Sequence, residues 1–209
     1  MQIVVLTNDT LKQEFIASGL PVETRITWIN SEKDILQYES ADAFFDLLFQ
    51  PTAQRIDILK SCFPKPVFIS DLLNHKPVDS AFIRFNGWPT FLQRNILEAS
   101  CNEESERLKA EKIIISLNRK AEWTKDIPGF VSARVLAMII NEAYFALEEE
   151  VSSKKDIDIA LKMGTNYPYG PFEWSEKIGI KDIYMLLVEL SKSSNRYDPA
   201  PLLKKEALA

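Results

Sequence analysis

The chain changes character once, at "DIPG" (126–129), and that change limits its fold more than any other feature. Before it, short apolar runs alternate with amphipathic stretches. After it, nothing reads as strand. Ile3–Leu6, Arg25–Ile29 and the segments 65–70, 80–85, 95–100 and 121–126 are β-rich and bounded by Pro or polar residues. Thr10–Ser18, 53–62 and 102–118 carry helical patterns, the last with acids in its first turn and bases later, as the helix dipole favours. "ADAFFDLLF" (41–49) is too short for periodicity to decide between strand and helix. Alternation at this spacing predicts an α/β layer with a largely parallel sheet.

The second part reads as helices throughout. Pro128 suits an early helix position. Val131, Val135, Met138 and Ile139 form one apolar row; Leu136, Ile140, Tyr144 and Leu147 form a second. Two rows are too wide for a helix with one wet face, so this helix is either central to its domain or shared with a partner. Ser153 with Asp156 makes a capping-box variant, opening a helix expected to end at Gly164 as its C-terminal cap. A short helix is expected from Pro171 to just before Gly179, and Ile180, Ile183, Tyr184, Leu187 and Leu190 mark a last one. The Pro-punctuated tail "YDPAPLLKKEALA" (197–209) is expected to lie along the surface. Two domains follow: α/β over 1–127 and helical over 128–209.

Charge and composition exclude several partners. The 209 residues carry a net charge of −5 with no basic run or face, which speaks against nucleic acid and against an anionic membrane surface. No apolar stretch nears ~18 residues, and no basic-then-apolar leader opens the chain, so the expected location is cytoplasmic. Cys62 and Cys101 lie far apart with no CxxC, and read as packing residues rather than metal or redox groups. No metal site is expected. His75 is the one histidine, so chemistry needing an imidazole base must use it or do without. The first strand runs into a helix through "TNDTLKQ" (7–13), where dinucleotide-binding folds keep a glycine-rich phosphate loop. This segment has no glycine, and Asp9 is expected to cap its own helix.

"KDIPGFVSARVLAMIINEAYFALEEEVSSKKDIDIALKMGTNYPYGPFEW" (125–174) resembles the C-terminal domain of the 3-hydroxyacyl-CoA dehydrogenase family, in the order K-D-x-P-G-F, N-E-A, D-I-D-x-A and Y-P-x-G-P-F-E. "DPAPLLKK" (198–205) continues the likeness; "KPVFISDLL" (65–73) and "AFIRFNGWPTFLQRNILEAS" (81–100) extend it into the first half. The resemblance implies a shortened Rossmann-like parallel-sheet domain followed by a helical dimerisation domain. It also implies a reaction in which a His, oriented by a Glu, takes a hydroxyl proton while hydride moves to NAD, with a Ser and an Asn holding the substrate oxygen. Carried over by residue, the His position falls on Asn86 and the Glu on Glu98. The Ser falls at or near Leu73, the Asn on Ala133, and the phosphate-loop glycines on Thr7, Asp9 and Lys12. The end of the second strand, Ile29–Asn30, offers no ribose-binding acid.

The expectation is therefore a relative of acyl-CoA metabolism that is inactive or strongly impaired. It would act as a dimeric binding or scaffold protein, with an acyl-CoA or related small molecule as ligand and no cofactor. The alternative is a working NAD-dependent dehydrogenase with its base moved to His75. Candidate site residues are Glu98, Asn86 and His75. Asn86–Gly87 is expected to form a turn, Trp88 and Phe91 to fill the core, and "YPYGPFEW" (167–174) to be a shaped connection between helices.

Overall fold

A computed structural model describes residues 1–74 and 79–209, in two compact units, Met1–Phe130 and Val131–Ala209. Among the described residues of the first unit, seven strands form one sheet: β1 (Gln2–Leu6), β2 (Arg25–Ile29), β3 (Ala43–Asp46), β4 (Val67–Ile69), β5 (Ile83–Phe85), β6 (Ile96–Ser100) and β7 (Lys120–Trp123). Their order is β2-β1-β3-β4-β5-β6-β7. Pairing is parallel from β2 across to β5, antiparallel between β5 and β6, and parallel again between β6 and β7. "ADAFFDLLF" resolves as strand, because burial on both faces suits a continuous apolar run.

The sheet separates two cores, as the period-2 geometry of a strand dictates. Ile3 and Val5 join Phe45, Phe68 and Phe85 on one face, beneath α1 (Asp9–Ala17) and α3 (Glu104–Ser116). Val4 and Leu6 join Phe44, Val67 and Ile69 on the other, with Leu59 of α2 (Ala53–Lys60). Phe45 and Phe68 stack at 4.0 Å between centroids, and Phe15 meets Phe45 edge-on at 5.7 Å. Trp88 and Phe91 are buried, as expected of core residues.

The second unit holds α4 (Ser132–Glu148), α5 (Lys154–Thr165), α6 (Pro171–Ile178), α7 (Ile180–Ser191) and α8 (Pro201–Ala207). Leu136, Ile140 and Tyr144 of α4 are buried, while Val131 and Val135 are 57% and 52% exposed. One apolar row is thus core and the other open. Ser153 caps α5 by accepting the Asp156 N–H, but the helix passes through Gly164 and ends at Asn166, whose φ of 57° is the left-handed cap. Asparagine tolerates that conformation through its short polar side chain, so the cap fell two residues beyond the expected glycine. The tail also differs from expectation: it folds as α8, with Ala200 and Leu203 fully buried, because Pro201 pre-sets a first turn. None of the described helices is long and apolar enough to cross a membrane.

Candidate functional site

In an open α/β sheet, ligands bind beyond the carboxyl ends of the strands, where the connections reverse direction. Here the chain leaves β1 for β2 on one side and resumes with β3 on the other, so the reversal lies between the ends of β1 and β3. Thr7 N–H donates to Ile29 O at 3.0 Å, and Leu47 N–H to Leu6 O at 3.0 Å, tying the three strand ends together. The helix after β1 is capped by Asn8, whose Oδ1 accepts the Leu11 N–H at 2.9 Å. Asp9, expected as the cap, is the first helical residue instead. Asn8 has the extended backbone that an N-cap requires, with ψ of 175°, and Asp9 adds a carboxylate to the first turn. One of the first-turn amides that an anion would use, that of Leu11, is thus met by the chain's own Asn8.

Beside this loop, Asp46 ends β3 with 0% exposure. Arg55 of α2 grips it with two hydrogen bonds, Nε to Oδ2 at 2.6 Å and Nη2 to Oδ1 at 2.7 Å, and gives Nη1 to Glu32 at 2.6 Å. Burial works against the charge on Arg55, yet the bonds from Asp46 and Glu32 hold its pKa above the ordinary value. Three residues from separate segments thereby lock the crevice edge with an internal ion network. Sequence reasoning missed it, because Arg55 sits in a helix whose pattern reads as an exposed polar face.

Further along the sheet, Asn86 follows β5 and Glu98 lies on β6. Both are buried, at 2% and 8% exposure. Antiparallel pairing sets them opposite one another: Asn86 N–H donates to Glu98 O at 2.9 Å, and the Asn86 amide Nδ2 lies 3.4 Å from Glu98 Oε2. The Asn86 carbonyl accepts the Trp88 N–H at 3.3 Å. Asn86–Gly87 is therefore not a turn; Asn86 continues the ladder. Gly87 is needed for another reason, since a Cβ there would overlap the Ser70 hydroxyl at the end of β4. Two sequence-predicted residues, Asn86 and Glu98, are thus brought together. His75 lies outside the described residues. Leu73 sits in the segment after β4, and Ala133 is fully buried within the helical unit.

A second buried guanidinium braces this region. Arg84 of β5 donates from Nε to Asp71 O at 3.0 Å, pairs with Asp126, and lies 5.0 Å over the Phe130 ring. A lone Arg in the apolar run "SAFIRF" was the one signal that could have revealed it. The Cys62 thiol is pushed up to about 11 by burial, and burial also raises Cys101, which suits packing rather than reactivity. Among the described residues, no cluster of His, Cys, Asp and Glu suits a metal ion.

In the helical unit the motif residues serve the fold. Asp158 of α5 accepts the N–H groups of Phe172 at 2.8 Å and Glu173 at 3.3 Å, capping α6 from a neighbouring helix. Gly170 leaves room for that carboxylate, which a Cβ would overlap. Glu173 completes a capping box by accepting the Gly170 N–H at 3.0 Å, and pairs with Lys162. "DID" and "YGPFE" are thus two halves of one helix start.

Comparison with known proteins places these features. Residues 129–209 match the family model described as 3-hydroxyacyl-CoA dehydrogenase, C-terminal domain. The chain is 39% identical over 115 residues to the 3-hydroxyadipyl-CoA dehydrogenase of Escherichia coli, a match covering 54% of this chain and 24% of that enzyme. A probable 3-hydroxybutyryl-CoA dehydrogenase of Bacillus subtilis is 26% identical over 202 residues, covering 88% of this chain and 70% of the relative. The fold is similar to the crystal structure of (S)-3-hydroxybutyryl-CoA dehydrogenase from Ralstonia eutropha, with a TM-score of 0.71 at 18% identity over 98% of this chain and 92% of that one. Residues 129–209 belong to the 3-hydroxyacyl-CoA dehydrogenase C-terminal domain family, and the chain as a whole is similar to these dehydrogenases, most clearly in its helical half.

Proposed function

We propose that this dehydrogenase-like protein binds a CoA ester as a homodimer and has lost the NAD-dependent oxidation of its relatives. The carrying observation is the buried pair Asn86–Glu98. The amide nitrogen has no basic lone pair, and it faces Glu98 across 3.4 Å while the amide oxygen is taken by Trp88 N–H. Asn86 therefore has no means to accept a hydroxyl proton from a substrate, and losing a general base costs roughly 10²–10⁴ in rate. The crevice supports the same reading. NAD does not fit the loop after β1: no glycine lets the backbone approach a pyrophosphate, Asn8 already caps the helix, and Asp9 adds a repelling charge. The family's helical domain supplies the expectation of a homodimer.

A thermal-shift panel on the full chain with NADH, CoA and acetoacetyl-CoA tests this reading. CoA or acetoacetyl-CoA raises the melting temperature and NADH does not, because only a ligand bound by the native state stabilises it. A rise with NADH overturns the loss of cofactor binding. No rise with any of the three overturns ligand binding altogether.

A further inference from the structure

One residue of the sheet unit stands in a backbone conformation that its side chain disfavours. Thr90 has a φ of 72°, in the left-handed region, and is only 3% exposed. Elsewhere the chain gives that region to residues that tolerate it, such as Gly19, Asn118 and Asn166 at helix ends. A β-branched residue there is strained, and such strain persists only where the surroundings over-determine it. Thr90 Oγ1 adds a second cost, being buried with no hydrogen-bond partner among the described residues. The contact that opposes both is charge-assisted: the Thr90 N–H donates to Glu14 Oε2 of α1 at 2.7 Å, across 76 residues of sequence.

Thr90 lies midway along the connection from β5 to β6, residues 86–95. This connection opens with Asn86 and returns the chain to the strand that carries Glu98, and Trp88, Phe91 and Leu92 are buried on either side of Thr90. We infer that Glu14 is a positioning residue of the Asn86–Glu98 site: its carboxylate holds Thr90 left-handed and so fixes the connection that begins with Asn86. The inference rests on the ligand reading above for what the site holds, and on backbone geometry for how it is held. Without the carboxylate, Thr90 returns to a negative φ, its hydroxyl is free to find a partner, and the turn from Trp88 to Leu92 rearranges. Glycine takes a positive φ at no steric cost, so Thr90→Gly keeps the turn without help from Glu14.

The experiment is a rescue. Glu14→Ala, Thr90→Gly and the double variant are compared with wild type as full chains, by amide hydrogen exchange and by thermal shift with acetoacetyl-CoA. Glu14→Ala is expected to speed exchange within 86–95 roughly tenfold, leaving the strands unchanged, and to weaken the ligand by a similar factor, as strain of this class sets. Thr90→Gly alone raises the melting temperature by relieving strain, and the double variant regains both slow exchange and the ligand shift. Exchange that Glu14→Ala leaves unchanged overturns the latch. Loosening that Thr90→Gly does not reverse overturns an action through Thr90. A loosened connection with full ligand binding overturns the link to the site. A wild-type chain with no shift on acetoacetyl-CoA overturns the ligand reading instead, because the exchange arm still decides the latch.

Discussion

At the residue scale, one glycine and one asparagine carry most of the account. Gly170 is forced by a carboxylate, not by backbone conformation. Gly170→Ala drives a methyl into Asp158, and the expected loss is about 1–3 kcal/mol in urea unfolding, the range for overpacking a filled site. An unchanged midpoint contradicts the interlock between α5 and α6. Asn86 invites the opposite experiment. Asn86→His places an imidazole beside Glu98, yet the loop after β1 still has no glycine. The expected result is no NADH oxidation with acetoacetyl-CoA, and turnover restored by this one change contradicts the view that two separate sites have been lost. The resemblance made Asn86 and Glu98 legible in sequence. Their pairing in space followed from the antiparallel step between β5 and β6, which no local pattern announces.

At the element scale, strands and helices largely follow the sequence periodicity, and the departures have physical causes. Asn8 displaced Asp9 as the cap of α1 because the cap needs an extended backbone one residue earlier. Asn166 displaced Gly164 because a left-handed asparagine ends α5 as well as a glycine does. The tail became α8 because apolar Ala200 and Leu203 find a buried place, which proline punctuation alone conceals. Contacts between distant segments, such as Glu32–Arg55–Asp46, have no sequence signature at all. The seat of α8 also makes a pH prediction. Glu206 accepts from Lys154 at 2.8 Å and from the Tyr144 hydroxyl at 2.8 Å; burial opposes its charge, but these bonds hold its pKa below the ordinary value. A carboxyl depressed in the fold adds stability above its unfolded pKa and loses it as pH falls through the folded value. Asp158 and Asp182, raised by burial, act in the other direction, so a difference between variants isolates Glu206. Unfolding midpoints taken from neutral pH down through the carboxylate range are expected to fall less steeply in Glu206→Gln than in wild type. Equal slopes contradict the role given to the Glu206 contacts.

At the scale of the whole molecule, the helical unit keeps what a fold needs: caps, a glycine with a reason, and a buried row on α4. The sheet unit keeps a largely parallel strand order, and its loop after β1 carries no glycine. Family likeness and the proposed loss of chemistry are compatible, because the motif residues of the helical unit hold up helices while Asn86 and the loop after β1 stand at strand ends. The most direct measurement is steady-state turnover of acetoacetyl-CoA with NADH by the full chain, beside an ordinary 3-hydroxyacyl-CoA dehydrogenase under the same conditions. The account predicts a rate lower by at least roughly 10², the loss set by a missing general base alone. A rate within tenfold of the ordinary enzyme contradicts it.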